Sequence, residues 1–133
     1  MAFAWSSVER KHRRQIMAKD FPGIYSHLNE MMGRLGEAAP ETMAGFGQLH
    51  VAAGREGVIS AKTKELISLA IGIAVHCDGC ISFHVHDALA AGASREEIVE
   101  VIGVAVTMGG GPSVVYGCEA LEAVDQFESA GVE

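Results

Sequence analysis

The chain is poor in several things, and each shortage removes a class of protein. Its 133 residues include three cysteines. That is an odd number, so no disulfide framework is expected, and a chain this long buries roughly two-thirds of its unfolded surface without one. Positive charge is short: ten Lys and Arg against seventeen Asp and Glu give a formal charge of −7, which argues against a nucleic-acid binder. The longest apolar run, Leu66 to Val75, is broken by Ser68 and Gly72 and is far shorter than the ~20 residues of a membrane span. The opening MAFAWSSVER lacks an apolar stretch preceded by charge, so no secretory signal is expected and a reducing cytoplasm is the simplest setting. Apolar–polar alternation with β-branched enrichment never persists, which leaves no signal for strands.

What is present points to helices. Apolar residues make up 49% of the chain and the mean hydropathy is positive, +0.22. One domain over residues 1–133 is expected to hide the surplus against copies of itself. A first helix is expected from Ser7 to about Lys19, with the basic cluster Arg10-Lys11-His12-Arg13-Arg14 on its solvated face. Each of the three prolines suits a helix start. Pro22 opens a helix carrying Ile24, Leu28, Met31, Met32 and Leu35 and ending at Gly36. Pro40 opens one carrying Met43, Phe46, Leu49, His50 and Ala53 and ending at Gly54. Pro112, after the break Gly109-Gly110-Gly111, opens the last, through Val114, Cys118, Leu121 and Val124. Met31, Met32 and Met43 are expected in the core, Cys118 as a buried thiol, and His50 and His86 as surface or packing residues.

Between these, Ser60 is an N-cap for a central helix of about residues 61–76, apolar on nearly every side and therefore buried in the protein or in an oligomer. Cys77-Asp78-Gly79-Cys80 then forms a short connection into a helix running to about Ala91. Ser94-Arg95-Glu96-Glu97 is a capping box that opens a further apolar helix. The fold expected is all-α, a compact bundle of about six helices.

The chemistry gathers between Glu65 and His84. Cys77, Cys80 and His84 are three and four residues apart and share one helix face, and Glu65 stands twelve residues before Cys77 in an apolar run. Two readings fit. Zinc could take Cys77, Cys80 and His84 with His76 or Glu65 as a fourth ligand, but no second Cys/His pair accompanies the first, which favours redox chemistry. A cysteine of ordinary pKa near 8.5 is roughly 3% thiolate at pH 7. Lowering that pKa to about 7 at a helix N-terminus raises the thiolate fraction about sixteen-fold, or about 1.6 kcal/mol. Proton delivery to a leaving oxygen is typically worth about 10²- to 10⁴-fold. His84, one turn from Cys80, therefore matters more as a proton carrier than the helix end matters for ionisation. Glu65 packed against His84 would fix its tautomer; otherwise it reads as a helix first-turn carboxylate.

This pattern, Glu65, eleven residues, Cys77-x-x-Cys80, three residues and His84, resembles the alkylhydroperoxidase D-like branch of the carboxymuconolactone decarboxylase superfamily, over about residues 25–127. The HDALAAGASREEI and GGGPSVVYGCEAL segments resemble it too. The resemblance implies an all-helical homotrimer or homohexamer that reduces hydroperoxides or a partner's disulfide at the expense of a dithiol, without bound cofactor or metal. It implies Cys80 as attacking thiol, Cys77 as resolving thiol closing a Cys77–Cys80 disulfide, and a Glu65–His84 relay. Cys80 is also one turn from His84 where Cys77 is two. The best-known peroxidases of the family carry a histidine immediately before the second cysteine, where this chain has Gly79. The family's decarboxylases lack the Cys-x-x-Cys, so decarboxylation is not expected.

Overall fold

The computed structural model describes residues 6–11 and 18–132, and no strand occurs among them. After a helical segment at residues 7–11 come six helices: α1 (Phe21–Ala38), α2 (Pro40–Gly54), α3 (Ala61–Ala74), α4 (Asp78–Ala90), α5 (Arg95–Gly109) and α6 (Gly111–Ser129). The all-α expectation holds. The first helix does not reach Lys19, because residues 18–20 are non-helical. Residues 12–17, which carry much of the basic cluster, lie outside the described part.

Helix ends follow the local chemistry closely. Asp20 caps α1 by accepting from the Gly23 amide at 3.0 Å, Ser60 caps α3 through Thr63, and Ser94 and Glu97 form the full capping box of α5. The end expected at Gly36 is not used. α1 continues to Ala38, where the residue before Pro40 leaves helical space, because a single helical glycine weakens a helix while a following proline ends it.

The core is built by α3, α4, α5 and α6 with Phe21 from α1. Leu69, Ile73, Ile81, Val85, Ala88, Ile98, Ala120 and Val124 are inaccessible; each large apolar side chain among them contributes about 1.5–3 kcal/mol. α3 packs chiefly on α4 and α5, and α5 on α6. Gly72 permits a close approach of α3 to α4, since a Cβ there would lie 3.0 Å from the Cβ of Cys80.

Other burial expectations fail. α2 buries no residue, and Met31 and Leu35 of α1 are exposed, so the methionines do not form a core. Only the start of α1, with Phe21, Ile24 and Tyr25, packs on the four-helix core, and the apolar side chains of its later turns and of α2 have little to pack on within one chain. Cys118 is an exposed free thiol and not the buried one expected. The inward stripe of α6 runs Ser113, Gly117, Ala120, Val124, Phe127; Cys118 stands one residue, about 100°, outside it.

Candidate active site

α4 carries two stripes displaced by one residue. Ile81, Val85 and Ala88 face the core, whereas Cys80, His84 and Asp87 line a cavity. The stripes are about 100° apart on the helix, so the packing that buries one fixes the direction of the other.

The two cysteines do not form a connection before the helix: Asp78 is already its first residue, Cys77 is its N-cap and Cys80 lies in its first turn. The backbone reverses just ahead, at His76, whose φ is +60°. The Cys77 amide donates to Gly72 O at 3.0 Å, and Cys77 Sγ accepts from the Cys80 amide at 3.1 Å. A thiolate at either position would meet the positive end of the helix dipole. The two sulfurs are joined in a disulfide, with the Cα atoms 5.2 Å apart.

Glu65, in the second turn of α3, meets His84 across the helix pair: the Nδ1–Oε2 distance is 2.8 Å, and both side chains are about four-fifths buried at 20% and 17% exposure. An Nδ1–H donated to the carboxylate leaves Nε2 of a neutral imidazole as the acceptor, the tautomer a proton carrier needs. The structure thus brings Glu65 to His84, and His84 to the same cavity as both cysteines. The four-ligand zinc arrangement is not formed: His76 stacks on Tyr116 at 4.6 Å, and no group of three His, Cys, Asp or Glu side chains among the described residues is arranged to hold a metal.

The cavity measures about 430 Å³ and is completed by Leu28, Met32, Phe46, His50, Gly79 and Phe83, within the range of small-molecule sites. Most of these lining residues were not legible in advance. His50, expected as a surface or packing residue, shares the wall with the thiols, and Phe46 is one turn before it. That i, i+4 pair was visible, but nothing local says that α2 faces the cysteines. His86 does pack, stacking on Tyr25 at 4.1 Å. Gly79 is accounted for sterically: a Cβ there would fall 2.8 Å from Leu28 Cδ1, so Leu28 occupies the room a side chain would take. A wider cleft of about 920 Å³ near Asp20 and Glu122 has no thiol or imidazole among its described lining residues.

The description of the carboxymuconolactone decarboxylase family matches residues 40–123. This chain belongs to that family. Over 113 residues it is 37% identical to an uncharacterized protein of Cupriavidus necator, spanning 85% of this chain and all of that one. The fold is that of a carboxymuconolactone decarboxylase family protein of Legionella pneumophila, at 43% identity and a TM-score of 0.78, covering 80% of this chain and 96% of the other. A Thermotoga maritima member, described with an antioxidative response as its possible role, is 30% identical with a TM-score of 0.64, over 68% and 93% of the two chains. Within the family, the Glu65, Cys77, Cys80, His84 spacing is consistent with the alkylhydroperoxidase D-like branch. No helix among the described residues is long and apolar enough to cross a membrane.

Proposed function

We propose that this protein is a thiol-dependent oxidoreductase that reduces organic hydroperoxides through the Cys77–Cys80 pair. The observation that carries the reading is one mostly apolar cavity holding both sulfurs and a histidine whose other nitrogen is committed to a carboxylate. The antioxidative role suggested for the Thermotoga maritima relative agrees with it.

In the reduced enzyme His84 Nε2 takes the Cys80 proton, and the thiolate attacks the terminal oxygen of ROOH. The O–O bond breaks, Cys80 becomes the sulfenic acid, and the alkoxide leaves as ROH with the proton His84 returns. Sulfur loses the two electrons that the peroxide gains. Cys77 thiol then attacks the sulfenic sulfur, water leaves, and the disulfide forms. An external dithiol restores both thiols by exchange and is itself oxidised. Glu65 holds the imidazole and stabilises it when protonated. The setting is a reducing cytoplasm that supplies the dithiol.

A second reading is a disulfide reductase without efficient peroxide turnover. It draws on Gly79, which leaves Cys80 without the neighbouring histidine of the best-known peroxidases. Steady-state consumption of cumene hydroperoxide with dithiothreitol, set against reduction of a small disulfide, separates the two. On the lead reading C80S abolishes peroxide turnover, C77S accumulates a Cys80 sulfenic acid or mixed disulfide, and E65Q lowers turnover about 10- to 100-fold. Peroxide that leaves Cys77 and Cys80 fully alkylatable would sink it.

The protein also acts, in this reading, as a homotrimer or homohexamer. Ile67 and Ile71 of α3 and its C-cap Val75, with Val104 and Met108 of α5, are exposed. Exposed apolar side chains in this number support burial against copies of the chain.

A further inference from the structure

The turn that holds the thiols also holds a negative charge. Asp78, the first residue of α4, sits between the cysteines. Its carboxylate suits the helix dipole but, as a like charge carried on the residue next to Cys77, opposes the formation of a thiolate in this turn.

A lysine from far away in the chain answers that charge. Lys19 Nζ lies 2.9 Å from Asp78 Oδ1 and 2.7 Å from Glu119 Oε2, and 5.5 Å over the ring of Tyr116. Tyr116 in turn stacks on His76, the residue preceding Cys77. Lys19 is presented by a strap, residues 18–20, whose backbone is pinned at two places. The Gln126 amide accepts from Phe21 N and donates to Lys19 O, both at 2.8 Å. Ser82 Oγ, buried on the cysteine-bearing helix, donates to Phe21 O at 2.7 Å. An incidental surface ion pair has no such backing; here the side-chain amide of α6 and a hydroxyl of α4 set where the lysine emerges. Burial pulls the Lys19 pKa down, but the hydrogen bonds and charges of Glu119 and Asp78 more than offset it, so the ammonium stays charged at any working pH.

We infer that Lys19 is a positioning residue for the thiol pair: by neutralising Asp78 it sets how readily the cysteines ionise and how oxidising their disulfide is. The inference rests on the redox reading above. Reduction of the disulfide takes two electrons and two protons to give two thiols, and whatever stabilises a thiolate favours the reduced side of that equilibrium. The other charged or titratable groups around the pair are Glu119, which shares the Lys19 ammonium, Glu65 and His84 across the helix interface, Asp87 and His50 in the cavity, and His76. Changing Lys19 also leaves Glu119 without this ammonium, whereas Glu65, His84, Asp87 and His50 have no contact with it.

The test uses the full chain as K19M, D78N and the double variant, with two readouts. One is the rate at which the reduced cysteines are alkylated by iodoacetamide as pH is varied. The other is the position of equilibrium with oxidised and reduced dithiothreitol. K19M should slow alkylation at pH 7 about three- to tenfold, the equivalent of half to one pH unit, and shift the equilibrium toward the disulfide by a similar factor. D78N should move both in the opposite direction, and the double variant should return close to wild type. K19R, which keeps the charge, should stay within about twofold. A purely structural tie would move both single variants the same way without compensation in the double; that result, or an unchanged K19M, overturns the inference. Wild-type thiols that peroxide cannot oxidise would remove the peroxidase reading, while the charge effect would still be read by alkylation alone.

Discussion

α2 and the α3–α4 pair are both rich in apolar residues, and the chain uses them in opposite ways. α3 and α4 lock together: Leu69, Ile73, Ile81 and Val85 are inaccessible, Gly72 lets the backbone approach Cys80, and Glu65 meets His84 across the seam. α2 buries nothing, and Phe46 and Leu49 remain 56% and 66% exposed. Yet α2 contributes Phe46 and His50 to the cavity at the thiols. The chemistry is fixed by the rigid pair, where a displaced side chain would cost contacts on every side. The cavity wall opposite comes from a helix whose apolar surface the single chain does not use.

The widest test of that contrast is truncation on each side. Leu69→Ala should destabilise the protein by about 2–5 kcal/mol, read from urea unfolding, because the packed site cannot collapse around the hole. Leu49→Ser should leave helix content by circular dichroism unchanged within error; if the proposed homo-oligomer uses this face, sedimentation velocity should instead show a smaller species. Equal loss of stability at both positions would mean that α2 is as much core as α3.

Gly72→Ala probes the seam itself. The added methyl must displace Cys80 or its backbone, at a cost of about 1–3 kcal/mol. The loss of peroxide turnover should exceed the loss of stability, because α4 shifts relative to Glu65. Stability and turnover falling in step would assign Gly72 to packing alone.

The smallest effect concerns the strap beside this pair. Lys19 has its pKa raised in the fold above the ordinary 10.5, burial opposing and Glu119 and Asp78 prevailing. A base whose folded pKa is raised stabilises fully below the unfolded value and loses that contribution as pH rises through the folded one. Thermal stability of wild type should therefore fall more steeply than that of K19M above about pH 10.5, while at pH 7 K19M should be the less stable of the two. Parallel curves throughout would show that the lysine gives nothing to the fold. Because Lys19 is 38% exposed, solvent screening keeps the difference small.

The parts of the fold that were legible are those written locally. Ser60, Ser94 with Glu97, and the three prolines mark helix starts by chemistry confined to one turn. The spacing of Cys77, Cys80 and His84 marks the candidate site because helical geometry carries residues three and four apart onto one face; Glu65 joined them through the family resemblance. Less legible were matters of partner. Gly36 looked like a stop and is not, since Pro40 imposes a stronger one. Cys118 looked buried because its helix is apolar, but the inward stripe passes through Gly117. Leu28 and Lys19 carried no sign of their partners, as they reach Gly79 and Asp78 from far earlier in the chain.

By itself, then, the sequence determined that the chain is helical, where most helices begin, and that Cys77, Cys80 and His84 share one helix face. These are properties of one or two turns, governed by capping, proline geometry and a period of 3.6 residues. Only the tertiary structure decided that Glu65 touches His84, that Leu28 fills the space beside Gly79, and that Lys19 covers Asp78. Those depend on which faces meet, and that is settled by the packing of the whole core, where no single residue states its neighbour in advance.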